Sequence, residues 1–115
     1  MMIIRNTTRN IVIGKNAVAC NDAISKATGL MFSRKRNIQL ILKFEKEKKV
    51  SLHMFFVFYS IDVLFLDKRK VVVDMKETFK PFSVYRSQRE AMYAVELPSG
   101  AVKKSKTEIG HRIEF

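Results

Sequence analysis

The apolar residues of this chain form short runs separated by polar and charged segments, a pattern typical of β-strands joined by turns. The longest run spans residues 53–67 and is interrupted by Ser60. It therefore predicts two strands, Val50–Tyr59 and Ile61–Leu66, rather than one continuous element. After a polar break, Val71–Glu77 alternates with a period of two, as a half-buried strand does.

The same signals predict five further short strands. They cover Ile3–Arg5, Asn10–Ile13, Ile38–Phe44, Met92–Leu97 and Arg112–Phe115. Gly14 and Asn16 are interpreted as turn residues that follow the first strands. The polar segment Lys80–Arg89, which contains Pro81, is predicted to be a surface loop.

Helical signals are confined to two short segments. Asp22 is placed to cap a helix over residues 23–32, and Ser99 to cap a helix over Gly100–Lys106. No internal repeat or linker divides the chain, so we predict one domain over residues 1–115. Because short polar turns join antiparallel strands, the expected fold class is α+β: a mainly antiparallel β-sheet, or a partly closed small barrel, with one or two short helices.

Three basic segments fall in predicted turns and loops. Their side chains are Arg34, Lys35 and Arg36; Lys46, Lys48 and Lys49; and Lys68, Arg69 and Lys70. The second segment is predicted to form a charged hairpin tip over residues 45–49, and the third a tip over residues 67–70. If these two tips shared one end of the sheet, they would form a phosphate-binding patch.

The net charge is the most unusual property of the composition. The 115 residues carry a net charge of +11, and a hydrophobic fraction of 47% argues against a disordered chain. Residues 1–57 hold 11 basic and 3 acidic side chains, whereas residues 58–115 hold 11 basic and 8 acidic. Such a surface attracts polyanions. The alternative is a solvated charge network of the kind common in thermophiles.

Compartment signals favour the cytoplasm. Cys20 is the single cysteine, so no disulfide can form within the chain, as suits a reducing compartment. The N-terminus lacks the apolar core of a signal peptide. The apolar stretch Met54–Leu66, broken by Ser60 and Asp62, is shorter than the roughly 20 residues of a membrane helix. We therefore expect a cytoplasmic protein without membrane insertion.

Five segments of the chain carry a family resemblance. They are GLMF at 29–32, HMFFVFYSIDVLFLD at 53–67, VVVDMKE at 71–77, YAVELPSG at 93–100 and IGHRIEF at 109–115. In these segments the chain resembles the uncharacterised archaeal and bacterial proteins of domain of unknown function family 192. It departs from the family's pattern at residues 26–28, where an arginine is frequent, and at His111, where aspartate is favoured. The resemblance implies a compact, β-rich α+β fold and supplies no activity.

Asp62 is the polar residue that most needs an explanation, because it interrupts an apolar strand between Ile61 and Val63. A buried carboxylate must be hydrogen-bonded, paired or neutralised. We expect a structural hydrogen bond to a turn near Ser60. The alternative is an active carboxylate in a cleft with His53, whose imidazole would serve as a general base or a ligand.

Other catalytic or metal chemistry has little support in the sequence. A metal site would require Cys20, the two histidines and carboxylates to converge, and no C-x-x-C or H-x-x-x-H spacing is present. We therefore expect no metal and no cofactor, and interpret Cys20 as a small buried hydrophobe and His111 as an exposed residue. Phosphate-cradling loops are absent. A Ser–His–Asp triad stays open, because its members need not be adjacent in sequence.

Three functions remain open. The first is a non-enzymatic accessory or binding protein whose basic loops contact a polyanion such as structured RNA or a ribonucleoprotein. The second is a small-molecule-binding or catalytic domain with a cleft near Asp62 and His53, and the third is a structural interaction module without a ligand. The apolar residues Met54, Phe55, Phe56 and Phe58 are expected to fill the core rather than line a cavity. No exposed aromatic suited to base stacking can be identified.

Overall fold

The computed structural model describes residues 2–20, 39–54 and 58–115. Within these ranges the chain forms nine strands and one short helix. They are β1 (Met2–Asn6), β2 (Ile11–Cys20), β3 (Gln39–Lys48), β4 (Ser51–His53), β5 (Ile61–Leu66), β6 (Val72–Phe79), β7 (Val84–Arg86), β8 (Ala91–Pro98), α1 (Ala101–Ser105) and β9 (Ile113–Glu114). The predicted helix at 23–32 and the basic loop at 33–37 lie outside the described residues.

Seven strands form one sheet in the order β6-β5-β8-β3-β2-β1-β9. Every pair in it is antiparallel except β2 with β3, which run parallel. Strands β4 and β7 form a separate antiparallel pair, the small sheet. The large sheet curls into a half-barrel. The predicted mainly antiparallel, sheet-rich α+β fold is confirmed at this level, with little helix.

Apolar side chains cover both faces of the large sheet. On one face, Leu52 and Met54 from the segment of the small sheet pack with Val63 and Phe65 of β5. On the other, Val102 of helix α1 packs in a cluster with β5 residues Leu64 and Leu66. All six residues of β5 are buried, and five of them are apolar, with Asp62 as the exception. This strand has the predicted bounds.

Strand β2 corrects the interpretation of Gly14 and Asn16 as turn residues. Both lie inside the strand, which pairs with β1 and β3. The side chain of Gln39 lies over Gly14, and its Oε1 accepts the backbone N–H of Asn16 at 2.9 Å. A glycine is needed at this position because a Cβ would come 2.7 Å from Gln39 Cγ.

The predicted hairpin tip at residues 45–49 is wrong. Strand β3 continues to Lys48, which lies opposite Ala91 of β8 after a shift in register. Strand β4 does not pair with β3 and crosses to the small sheet, where it pairs with β7. Of the predicted strand Val50–Tyr59, only Ser51–His53 is a strand among the described residues, and 55–57 lie outside them.

The segment Lys80–Arg89 is not entirely a loop, because it contains strand β7. The hydroxyl of Tyr85 in this strand donates a hydrogen bond to Asp74 Oδ2 of β6 at 2.7 Å. The backbone N–H of Gln88 donates to the same oxygen at 2.8 Å. These bonds fasten the polar segment to the large sheet, and no local sequence pattern announces them.

Candidate functional site

The carboxylate of Asp62 is a structural hub. Its Oδ1 accepts the N–H of Thr78 at 3.0 Å, and its Oδ2 accepts the N–H groups of Gly100 and Val102, each at 3.1 Å. The residue is 1% exposed. The three donors satisfy a buried carboxylate at the start of α1 and the end of β6, as burial of a charge requires.

Helix α1 confirms the short helix predicted after Pro98, but not its predicted cap. Gly100 is the N-cap residue with a φ of 93°, and no side chain of the cap itself bonds the helix. Instead, the backbone N–H groups of Gly100 and Val102 donate hydrogen bonds to the carboxylate of Asp62, on a strand distant in sequence. A helix start always leaves such N–H donors without partners inside the helix.

His53 and Asp62 lie on opposite sides of the large sheet. The neighbours of His53, Leu52 and Met54, face the apolar cluster beneath the small sheet, and His53 itself is exposed. Asp62 points to the opposite face, where it binds α1 and where Val102 is buried. The arrangement does not bring these two side chains into one cleft.

Two of the predicted basic segments meet at one edge of the large sheet. Strands β3 and β5 both pair antiparallel with β8, so they run in the same direction. Their carboxyl ends therefore lie side by side, and Lys43 and Leu66 are opposite the same residue, Tyr93. The backbone N–H of Lys68 donates to Glu47 Oε2 at 2.9 Å, which joins the two segments directly.

We call this edge the basic end. It comprises Lys46, Lys48, Lys49, Lys68 and Arg69, all exposed. In the described part of the chain, the ion pair within 4.0 Å is Arg9 with Glu108, at 3.5 Å, and neither residue belongs to the basic end. The cations of the basic end thus have no carboxylate within that distance among the described residues.

The carboxylates at this edge accept hydrogen bonds from backbone N–H groups. Glu47 binds the Lys68 amide, and Asp67 Oδ1 accepts the N–H groups of Arg69 and Val71 at 2.8 and 3.0 Å. These bonds shape the β5–β6 turn and hold Lys68 and Arg69 outward. The turn at residues 67–70 is the predicted tip, and Asp67 is the residue that builds it.

Lys70 stands apart from the other basic residues. Its Nζ lies 3.9 Å from the centroid of the Phe115 ring and donates to Phe115 O at 3.3 Å. The same ammonium is 5.9 Å from the centroid of the Tyr93 ring. Lys70 therefore holds Phe115 against β8. Arg34, Lys35 and Arg36 lie outside the described residues.

Sequence reasoning missed an exposed aromatic surface. Phe58 is 75% exposed and Phe82 59% exposed, and their ring centroids are 5.5 Å apart in an edge-to-face contact. The expectation that Phe58 fills the core is wrong, whereas Met54 is buried as expected. Phe55 and Phe56 lie outside the described residues. A run of apolar residues does not show which members face solvent when the strand ends within it.

Tyr85 connects the small sheet to the large one. Burial, which disfavours the charged phenolate, and then the Asp74 carboxylate raise the pKa of Tyr85 to about 12. Its ring also lies 5.7 Å from that of Phe65, between centroids. These features belong to the packing of the small sheet against the large one.

Residues 2–20, 39–54 and 58–115 show neither a metal-binding cluster nor a membrane-spanning helix. In those ranges no three His, Cys, Asp or Glu side chains are grouped as metal ligands would be. No helix in the same ranges has the length and apolar character needed to cross a bilayer.

Comparisons with known proteins agree on the family. The family model DUF192, described as "Uncharacterized ACR, COG1430", matches residues 4–115. A UPF0127 protein of Pyrococcus abyssi is 33% identical over 116 residues, covering 100% of this chain and 98% of that protein. A UPF0127 protein of Pyrococcus horikoshii is 35% identical over 114 residues, covering 98% of each chain.

Solved structures share the fold. The chain superposes on a crystal structure from Sinorhizobium meliloti 1021 with a TM-score of 0.82 and 20% identity, covering 97% of this chain and 89% of that one. A protein of unknown function from Novosphingobium aromaticivorans gives a TM-score of 0.83 and 14% identity, covering 98% and 82%. With the family model matching almost the entire sequence, the chain belongs to the uncharacterised DUF192 family.

Proposed function

We propose that this protein is a non-enzymatic binding protein whose basic end contacts the phosphate groups of a polyanion, such as structured RNA or a ribonucleoprotein. The observation that carries the proposal is the bond between Lys68 and Glu47. It joins two basic segments, 21 residues apart, into one exposed surface. A cluster of like charges at one edge raises the local potential more than the same charges scattered over the molecule.

The local environment of the basic end supports this role. Its cations are exposed, and Glu47 and Asp67 direct carboxylate oxygens at backbone amides. Five phosphate contacts would make the affinity fall about five hundredfold between about 50 and 200 mM salt, because each contact releases counterions. Contacts of this kind position a nucleic acid without reading its bases.

A catalytic role has less support. The one buried acid that the sequence singled out, Asp62, is engaged by three backbone amides. His53 lies on the other side of the sheet. An acid–base pair requires both groups to reach the same substrate, and this pair does not meet that condition.

A filter-binding assay with a labelled RNA hairpin, over a series of salt concentrations, tests the proposal. The double variant Lys68→Ala/Arg69→Ala should weaken binding at low salt by about tenfold or more and flatten the salt dependence by about two contacts. The matched control is Lys103→Ala/Lys104→Ala, which removes the same charge from exposed positions on α1. The control lysines and the basic end lie at opposite ends of strand β5. Helix α1 lies near the first residues of β5, and the basic end follows its last residue.

The control should retain nearly all of the wild-type affinity. Equal losses in the two double variants would show that the charge acts evenly over the surface, as in a solvated charge network, and would overturn the proposal. So would an absence of binding at low salt, or binding that is indifferent to salt.

A further inference from the structure

We propose that the outer surface of the small sheet binds the unpaired bases of a single-stranded nucleic-acid segment whose phosphates lie on the basic end. We call this surface the aromatic face; it comprises His53, Phe58, Phe82, Val84 and Arg86. The proposal rests on the proposed function and makes it more specific. It assigns a ligand chemistry, aromatic bases, to residues outside the basic end.

The small sheet has one buried side and one outward side. Leu52 and Tyr85 lie opposite each other and face the core. The alternate positions point outward: His53 is paired with Val84, and Ser51 with Arg86. A two-stranded pair packed on a core in this way presents its other side as a platform.

Large apolar side chains are concentrated on this outward side. Phe58, Phe82 and Val84 are 75%, 59% and 60% exposed. Phe82 precedes Val84 by two residues, and the rings of Phe58 and Phe82 are in contact. Single exposed apolar residues are ordinary, but a contiguous group on a folded surface marks an interaction site.

The backbone at Phe82 supports a role for its ring. Phe82 has a φ of 61°, a left-handed conformation that bulky side chains rarely adopt. Its N–H donates to Met54 O at 2.7 Å, so the strained turn is fastened to the end of β4. Glycine or asparagine would fit this turn with less strain. An exposed phenylalanine kept in such a conformation points to a function for the ring.

The charge of the aromatic face selects a nucleic acid as its occupant. The outward positions of β4 and β7 carry the cation Arg86 and no carboxylate. Lys49 of the basic end precedes Ser51, the first residue of β4, by two residues, so the small sheet begins next to the basic end. A positively charged path that leads to exposed aromatic rings is the arrangement by which proteins bind single strands, with bases stacked on the rings.

Fluorescence anisotropy with three probes tests this inference. The probes are a labelled oligouridylate, the same strand in a duplex, and inorganic polyphosphate, which has the charge but no bases. Wild-type protein should bind oligouridylate more tightly than either of the others. The double variant Phe58→Leu/Phe82→Leu retains apolar side chains and the strained backbone but removes both rings. It should bind oligouridylate about tenfold more weakly and polyphosphate unchanged.

A matched control and a second measurement complete the test. Ile109→Ala truncates a side chain that is 61% exposed elsewhere on the surface, and it should leave all three affinities unchanged. If wild type binds polyphosphate but has no preference for oligouridylate, or if the ring variant binds both probes as wild type does, the inference is wrong while the proposed function stands. If neither probe binds, both are wrong. Sedimentation equilibrium showing a wild-type dimer that the ring variant abolishes would assign the face to a second copy of the chain and overturn the inference.

Discussion

The Asp62 carboxylate accepts the backbone N–H of Val102 at 3.1 Å, a bond that spans 40 residues of sequence. With the amides of Thr78 and Gly100, it joins β5, β6 and the start of α1 at one point. Asp62, the polar residue that most needs an explanation in the sequence, therefore holds three elements of the fold together.

Replacing Asp62 should therefore cost stability. Asp62→Ala leaves three backbone donors without their acceptor, and we expect the free energy of unfolding to fall by about 3 kcal/mol. Asp62→Asn keeps one acceptor oxygen and should lose less. Urea denaturation measures both. Glu77→Ala, at an exposed position of the neighbouring strand β6, is the control and should change little. A wild-type midpoint for Asp62→Ala would contradict this role.

Tyr85 should titrate late. Its folded pKa of about 12 lies above the ordinary value of 10.0. Since the folded state holds this proton more tightly, the contribution to stability is fully present below pH 10 and is lost as the pH rises through about 12. An ultraviolet absorbance titration of tyrosinate should contain a component with a midpoint near pH 12. Tyr85→Phe should remove that component. If the component persists in the variant, the raised pKa belongs to another tyrosine.

The contact between Gly14 and Gln39 predicts a coupled pair of substitutions. Gly14→Ala places a Cβ within 2.7 Å of Gln39 Cγ and forces a side chain that is 4% exposed to move. We expect a loss of about 2 kcal/mol, typical of overpacking. In a Gln39→Ala background the same change should cost much less, because the obstructing atoms are gone. Additive losses in a double-mutant cycle would exclude the direct contact.

Alanine substitutions of Lys70 and Lys68 should have different effects on stability and on polyanion affinity, although the two residues are only two positions apart. Lys70→Ala removes the ammonium from the Phe115 ring and should lower stability by about 1 kcal/mol. Its effect on polyanion affinity should be small. Lys68→Ala should have the reverse effect, with stability unchanged and affinity lowered. Chemical denaturation measures the stability of both variants, and filter binding measures their polyanion affinity. Equal changes in both quantities for the two variants would show that Lys70 and Lys68 do not have separate roles.

Much of the local structure follows from the sequence. The run Ile61–Leu66, apolar except for Asp62, predicts a strand with the bounds of β5. Asp67 predicts the turn that follows, because its carboxylate binds the amides two and four residues later. These features depend on neighbouring residues, so their signals lie in a short window. The basic segment at 67–70 was located in the same way.

Features that depend on contacts between residues far apart in sequence could not be predicted from the sequence. In the sequence Gly14 is typical of a turn residue, and only its contact with Gln39 shows that it lies inside a strand. The sequence likewise predicts that β4 pairs with β3 in a hairpin, whereas β4 pairs with β7. The edge that brings Lys68 to Glu47 exists only because β3 and β5 share the neighbour β8. Phe58, predicted for the core, is exposed.

The sequence by itself determined that this is a basic, strand-rich chain of its family, with Asp62 as a buried acid that needs partners. The tertiary structure alone decided which amides those partners are, which cations form the basic end, and which aromatic rings face solvent. The reason is physical. Strand formation and turns are governed by residues close in sequence, whereas strand partners and burial are chosen by contacts between residues far apart, whose geometry no local pattern records.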